Sequence, residues 1–334
     1  MVGKKFLKKG MLAGILLCSL LLSACDSSKA TGGKEQIQIG ISQIIDHAAL
    51  DSAREGFIKA LQDKGYEDGK NIVIDFQNAQ GDIPTAQTIA ENFKSQKKDL
   101  ILAIATPSAQ AAYNVTKEIP ILITAVTDPQ LAGLVDSWEK TGTNVTGTSD
   151  LTPVEKQMKL LKQLLPEKQK VGILYNTSEA NSHVQVELAK EECQALGLEI
   201  ITEGITNVNE INQALDALLE KVDVIYIPTD NMVASAMPLI YNNCMKKSIP
   251  IMGGEKAHVE AGALATDGID YYQLGYETGL MGVQVLEGKK PQDMTIEVLK
   301  ETQLVVNEDT AKKLGVAIPK EVLDMAEMVE GSGK

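Results

Sequence analysis

The chain has 334 residues, with 32 Lys+Arg against 45 Asp+Glu and a formal net charge of −13. Its 44% hydrophobic and 23% charged residues exclude wholesale disorder, and the length exceeds what one hydrophobic core usually supports, so two domains are expected. The acidic balance argues against nucleic acid as a partner, because phosphate binding needs clustered Lys and Arg, and three scattered His (His47, His183, His258) argue against a His-based metal site.

The chain opens with a basic stretch, Lys4, Lys5, Lys8 and Lys9, followed by an apolar run from Met11 to Leu22. That run is short for a membrane span, and its layout is that of a secretory signal peptide. Leu22-Ser23-Ala24-Cys25 resembles the bacterial lipobox, in which the Cys thiol receives a diacylglycerol and becomes the mature N-terminus. Residues 1–24 are therefore expected to be a signal peptide, Cys25 the lipidation site and 25–36 a small, polar tether. The expected location is outside the cytoplasm, anchored by lipid to the outer face of the cytoplasmic membrane or held in the periplasm. Cys193 and Cys244 remain in the body of the chain, either as a pair or as two separate buried thiols.

Beyond the tether, apolar runs alternate with amphipathic helices. Ile37–Ser42 reads as a strand, and Asp46 is placed to cap a helix with Leu50, Ala53, Phe57 and Leu61 on one face and Gly65 as its stop. Asn71–Phe76 is the next strand. Asp82 and Pro84 open a helix with Ala86, Ile89, Ala90 and Phe93 inward. Leu100–Ile104 is continuously apolar, as a parallel strand covered on both faces should be. This alternation predicts right-handed βαβ units.

The pattern then restarts. Gly172 in the strand Lys170–Tyr175 lies 132 positions after Gly40, and Gly197 lies 132 after Gly65. Val222–Thr229 echoes Lys98–Thr106, and Ile249-Pro250-Ile251 repeats Ile119-Pro120-Ile121 at an offset of 130. Four matches in order at a nearly constant offset predict two similar lobes. After the strand Ala263–Thr266 comes a helix with Leu274, Thr278 and Met281 on one stripe, then a last strand, Gln303–Val306, and a terminal helix. That extra segment is read as a chain that crosses back to the first lobe and returns. The fold class is α/β, with two doubly wound parallel-sheet lobes: residues 37–147 with 268–298, and 148–267 with 299–330.

Enzyme signatures such as GxSxG, HExxH, GxxxxGK[ST] and GxGxxG are absent from the sequence. Open parallel sheets bind ligands beyond the carboxyl ends of their strands, and here those ends are rich in hydroxyl, amide and carboxylate groups. They include Ser42 and Gln43, Thr106, Ser108 and Ala109, Thr127 and Asp128, Asp150, Asn176 and Glu179, Asp230 and Asn231, and Asp267. Each also suits a helix cap. In Thr106-Pro107-Ser108-Ala109 the backbone N–H groups of Ser108 and Ala109, with the two hydroxyls, would favour an anion. The corresponding turn, Thr229-Asp230-Asn231, carries a carboxylate and would favour a cation. An anion site on one lobe and a cation site on the other describe a zwitterion.

The lipobox, the duplicated lobes and the strand-end motifs resemble the substrate-binding lipoproteins of bacterial ABC importers. Gly40-Ile-Ser-Gln-Ile-Ile-Asp-His-Ala-Ala-Leu-Asp51, Asn78-Ala-Gln-Gly-Asp82, Ala105-Thr-Pro-Ser-Ala109, Val126-Thr-Asp-Pro129, Asn144-Val-Thr-Gly-Thr148 and Asp270-Tyr-Tyr-Gln-Leu-Gly275 are similar to the family associated with tryptophan or tyrosine uptake. The resemblance implies a type I periplasmic-binding-protein fold with three crossovers, a hinge, a permease and an ATPase as partners, and a monomer without cofactor, metal or catalytic residues. It implies an amino-acid ligand whose carboxylate is held by Thr106, Ser108 and Thr127 and whose amine is held by Asp230, with Asp150 or Glu179 next in line. Aromatic residues are only 4% and Trp138 is the single Trp, so a stacking face would have to come from Tyr175, Tyr226 or His47. The alternatives are an exported α/β enzyme and a lipoprotein that senses a ligand for a signalling partner.

Overall fold

The structure, a computed structural model, describes residues 36–330. The signal segment 1–24, Cys25 and all but the last residue of the tether lie outside the described residues. The first lobe runs β1 (Ile37–Gln43), α1 (Ala48–Asp63), β2 (Ile72–Asn78), α2 (Ile83–Ser95), β3 (Leu100–Ile104), α3 (Thr106–Val115), β4 (Ile121–Thr124) and β5 (Val145–Ser149). The second runs α4 (Val154–Leu164), β6 (Lys170–Asn176), α5 (Ala180–Ala195), β7 (Glu199–Ile205), α6 (Ile211–Leu219), β8 (Val224–Ile227), α7 (Asn231–Ser235), α8 (Met237–Lys246), β9 (Ile251–Gly253), α9 (Lys256–Glu260) and β10 (Ala265–Gly268). The chain then returns through α10 (Tyr271–Leu286) and β11 (Ile296–Val298) to the first lobe. It ends on the second with β12 (Gln303–Asn307), α11 (Glu308–Leu314), α12 (Lys320–Leu323) and β13 (Glu327–Val329).

The sheets have the orders β11-β5-β4-β3-β1-β2 and β13-β12-β10-β9-β8-β6-β7. Both are built on the same doubly wound core, and the chain passes between them three times, after β5, β10 and β11. All pairings are parallel except β12 against β10, which is antiparallel. The repeated glycines have a packing cause. A Cβ on Gly40 would meet the Phe93 ring at 2.7 Å, and one on Gly172 would meet Ile225 Cδ1 at 2.9 Å and Leu218 Cγ at 3.0 Å. In each lobe a helix therefore presses onto the central strand. Gly65 (φ +84°) and Gly197 (φ +67°) both leave a helix in the left-handed region, where a side chain is strained.

Burial follows the period of two. On β8, Val224 and Tyr226 join the core on one face of the second sheet, and Ile225 and Ile227 join the core on the other. Cys193 and Cys244 belong to these two different cores and are free thiols, so the separate-thiol reading holds. Tyr226 is fully buried, with its hydroxyl donating to Gln157 Oε1 at 2.6 Å; it is a core residue and not a cleft face. Gln157 in turn donates to the carbonyls of Gly254 and Asp267.

Three local expectations are corrected. Asp46 does not cap α1: the N-cap is His47, with no side-chain bond, and Asp46 instead accepts from Asn78 Nδ2. The terminal helix is two short helices and a strand, because Gly315 (φ +67°) and Pro319 interrupt it. The three-residue β11, too short to show a pattern, extends the first sheet beside β5.

Candidate functional site

The carboxyl ends of the two sheets meet at a narrow cavity of about 10 Å³. The first lobe contributes His47, Leu50 and Ala125, the second contributes Asn181, Thr229, Asp230, Asn231, Ala234 and Glu255, and the crossovers contribute Asp150 and Tyr271. Two backbone features mark the first-lobe side. Ala105 (φ +76°), the N-cap of α3, and Ala125 (φ +55°), just past β4, both occupy the left-handed region without being Gly. Such conformations cost about 1–3 kcal/mol and persist only where the surroundings impose them.

The residues of the predicted anion site differ in what they have free. Thr106 Oγ1, Ser108 Oγ and Ser42 Oγ are buried and have no hydrogen-bond partner. The Ala109 N–H is not free, because it donates to the Ala105 carbonyl at 3.1 Å. Gln43 is also occupied: its amide donates to the Ile45 carbonyl and Asp51, and its carbonyl accepts from Arg54. Asp128 caps a turn, accepting from the N–H groups of Gln130 and Leu131. Thr127 donates to Asp150 at 3.0 Å, which fixes that carboxylate rather than leaving its own hydroxyl hydrogen open.

Four buried carboxylates stand at or just behind the cavity: Asp150, beside Thr127 of the first lobe, and Glu179, Asp230 and Glu255 on the second. Among the described residues none of them pairs with a Lys or Arg. Asp230 is the N-cap of α7 and accepts from Asn176 N at 2.6 Å, Ser182 Oγ at 2.7 Å and Val233 N at 2.9 Å. Ser108, by contrast, is the third residue of α3, so the two do not hold equivalent positions, and Ser108 does not line the cavity. Glu179 accepts from the side-chain amides of Asn176, Asn181 and Asn231. Asp150 accepts from Thr127 and from Tyr271 Oη at 2.7 Å. Glu255 differs: its Oε1 is buried with no hydrogen-bond partner, 3.2 Å from His258 Nε2 and 3.9 Å from His47 Nδ1. Asp267 Oδ1 is likewise buried and unpartnered.

The electrostatics follow from burial without a cation. Burial pushes the Asp150 and Asp230 carboxyls up, and hydrogen bonds from their neighbours oppose it. Burial and the Asp230 charge raise Glu179 to about 7. Burial and the Asp150 charge raise Glu255 to about 8. Burial lowers His47 to about 4 and His258 to about 3, so both rings are neutral at physiological pH. The cleft is thus short of positive charge.

Of the predicted ligand residues, Asp150, Asp230 and Asn231 line the cavity, while Asn176 and Glu179 stand directly behind it through hydrogen bonds. Sequence reasoning did not select Glu255, His258, Asn181 or Tyr271. Glu255 was within reach, since the offset of 130 that joins Pro120 to Pro250 carries Ala125 onto it. Tyr271 lies inside the Asp270–Gly275 motif. No group of three or more His, Cys, Asp or Glu among the described residues could hold a metal ion, and none of their helices is long and apolar enough to cross a membrane.

Comparison with known proteins converges on one family. Residues 38–330 match the profile described as ABC transporter substrate binding protein. The chain is 49% identical over 322 residues to a tyrosine-binding protein of Clostridioides difficile (strain R20291), covering 94% of this chain and 93% of that one. Among solved structures it resembles the ABC domain of Streptococcus pneumonia in complex with L-Trp, with a TM-score of 0.86, 38% identity, and 88% and 99% of the two chains covered. It also resembles a ligand-free, open substrate-binding protein with adhesive properties from Clostridium difficile, with a TM-score of 0.67, 50% identity, and 89% and 100% covered. A type I periplasmic-binding-protein-like fold with this interlobe cleft, matched over nearly all of the described chain, makes the protein a member of the ABC transporter substrate-binding protein family.

Proposed function

We propose that the protein is the extracytoplasmic binding lipoprotein of an ABC importer, and that it takes a free amino acid, of the aromatic kind, between its lobes by hinge closure. The observation that carries this reading is the charge and hydrogen-bond pattern of the cleft. Unpartnered hydroxyls stand at the N-terminal end of α3, where a carboxylate is favoured, and four buried carboxylates, three of them on the second lobe, pair with no Lys or Arg among the described residues. A zwitterion supplies both missing charges. The relatives named for tyrosine and bound to L-Trp support an aromatic side chain.

Hinge closure is supported by an inversion between identity and likeness. The chain matches the L-Trp complex at a TM-score of 0.86 despite 38% identity, and the open, ligand-free structure at only 0.67 despite 50%. Sequence divergence runs the other way, and a different arrangement of the lobes in the open structure is the reading that fits. In this reading lobe one is 37–147 with 268–298 and lobe two is 148–267 with 299–330. Cys25 holds the lipid that anchors the monomer to the membrane, and a permease and an ATPase are the partners.

The test is calorimetric titration with L-tyrosine, L-tryptophan and L-phenylalanine, set beside tyramine, which lacks the carboxylate, and small-angle scattering of the free and saturated protein. At least one amino acid is expected to bind and compact the molecule, with tyramine weaker by about tenfold or more. Binding of tyramine as tightly as tyrosine, or binding of none of the three amino acids, overturns the reading.

A further inference from the structure

We infer that Glu255, flanked by Asp150 and Tyr271, is the acceptor of the ligand's ammonium group, and that this contact is what holds the two lobes together. The inference rests on the amino-acid reading above and assigns its cationic end. Four carboxylates compete for the role, and their existing bonds separate them. Asp230 already accepts from two backbone N–H groups and the Ser182 hydroxyl. Glu179 already accepts from three side-chain amides, two of which, Asn181 and Asn231, line the cavity where Glu179 itself does not. Asp150 is held by Thr127 and Tyr271, one bond to each oxygen. Glu255 lines the cavity and lies within reach of the Tyr271 hydroxyl that donates to Asp150, and alone among the four it keeps a buried oxygen, Oε1, that accepts no hydrogen bond.

Among the described residues no Lys or Arg stands within ion-pair distance of Glu255. Two imidazoles, His258 at 3.2 Å and His47 at 3.9 Å, are the basic groups within ion-pair distance, and burial disfavours a proton on either. The His47 ring is buried, with Asn231 as its polar neighbour. The groups that face Glu255 are therefore a second acid, Asp150, a phenol, Tyr271, and two neutral rings. An ammonium brings three donors and a charge to a place that has acceptors and no cation.

Position ties this chemistry to closure. Glu255 is the N-cap of α9 on the second lobe, His47 is the N-cap of α1 on the first, and Asp150 and Tyr271 flank two of the crossovers. The ammonium site is therefore assembled from both lobes and exists only when they meet. A ligand that keeps its carboxylate but lacks the amine can use the α3 end and leaves the closing contact unmade.

The experiment compares L-tyrosine with 3-(4-hydroxyphenyl)propanoate, its deaminated analogue, on the parent protein and on Glu255→Gln, with Asp230→Asn in parallel. Glu255→Gln is expected to weaken tyrosine by about 30-fold or more and the analogue by less than about threefold. On the parent protein, scattering is expected to show compaction with tyrosine and an open profile with saturating analogue, a result that needs no variant to fold. Equal losses for the two ligands in Glu255→Gln, a selective loss of tyrosine in Asp230→Asn instead, or full compaction by the analogue would each overturn the inference while leaving the amino-acid reading intact. If the parent binds none of the three amino acids, both fall together.

Discussion

Replacing Gly275 with Ala should destabilise the protein, although the same change in an exposed helix stabilises it by about 1 kcal/mol. The reason is the contact between α1 and α10, the helix that carries the chain back to the first lobe. A Cβ at Gly275 would lie 1.8 Å from the Ala53 carbonyl oxygen and 2.5 Å from its carbon, so the obstacle is backbone and cannot rotate away. Gly56 and Gly279 make the same approach from either helix, at 2.0 Å to the Tyr272 carbonyl oxygen and 2.6 Å to Ala60 Cβ. A relaxed C···O contact is about 3.3 Å, so the helices would have to part by roughly 1.5 Å along a buried seam that includes Phe57 and Leu274. Overpacking of this kind costs about 1–3 kcal/mol or more, and a backbone clash belongs at the upper end. Set against the propensity gain, a net loss of about 2 kcal/mol remains, or a fall of roughly 3 °C in Tm for a chain of this size. Gly282 on the same helix is the internal control, because a Cβ there meets side chains and no backbone, the Phe57 ring edge at 3.3 Å and Leu100 Cδ2 at 3.9 Å, and Ala should be tolerated. Thermal unfolding of the two variants decides the matter. A Gly275→Ala protein that melts at or above the parent temperature would refute the packing argument.

Asp230→Ala strands the N–H groups of Asn176 and Val233 and the Ser182 hydroxyl in the interior, so chemical denaturation should show a loss of about 3 kcal/mol or more while the preference for tyrosine over its deaminated analogue stays unchanged. The pH dependence of the ligand-free protein has two opposing limbs. Burial lowers His47 and His258 in the folded state to about 4 and about 3 from 6.5, so the unfolded chain binds more protons and stability is lost as pH falls below about 6.5. Glu179 and Glu255 are raised to about 7 and about 8 from 4.5, so the folded chain binds more protons and stability is lost as pH rises from about 4.5 through 8. Melts across this range should therefore peak near about pH 5–6, and Glu255→Gln should raise the ligand-free Tm at about pH 8 and leave it nearly unchanged at about pH 5. Cys25→Ala should abolish incorporation of labelled lipid and leave unprocessed precursor on a gel; normal incorporation would remove Cys25 as the anchor.

The parts of the fold that sequence reveals are those in which one residue type has one physical use. The spacing between Gly40 and Gly172 records a helix pressed onto a central strand in each lobe, and Asp82 with Pro84 records a helix start, with the Asp82 side chain accepting from Thr85 N. The parts it conceals are those in which several uses compete. Asp46 and His47 are adjacent, and whether the carboxylate caps α1 or reaches Asn78 depends on a strand more than thirty residues away. Asp128, Asp230 and Glu255 all follow strands, yet the first two are consumed by backbone N–H groups and only the third keeps an open oxygen. Nothing local distinguishes them, because the deciding donors come from other elements. The strained backbone at Ala105 and Ala125 is equally silent, since Ala carries no signal for a positive φ.

These features share one location, and that bears on how the molecule divides its stability. The three apolar cores are dense and alternate regularly across the sheets. The energetically unfavourable features gather instead at the carboxyl ends of the strands: two left-handed alanines, hydroxyls at Ser42, Thr106, Ser108 and Thr229 without partners, and four carboxylates without a cation. On the proposed function, each would be a cost in the closed form without ligand and a contact in the liganded one. A zwitterion that satisfies them therefore stabilises closure relative to opening by more than its affinity for either lobe alone, which is the differential interaction that a ligand-driven conformational change requires. The apolar cores lie within the lobes and only three crossovers join them, so in the proposed closure the unsatisfied cleft would make the closed state depend on what lies inside it.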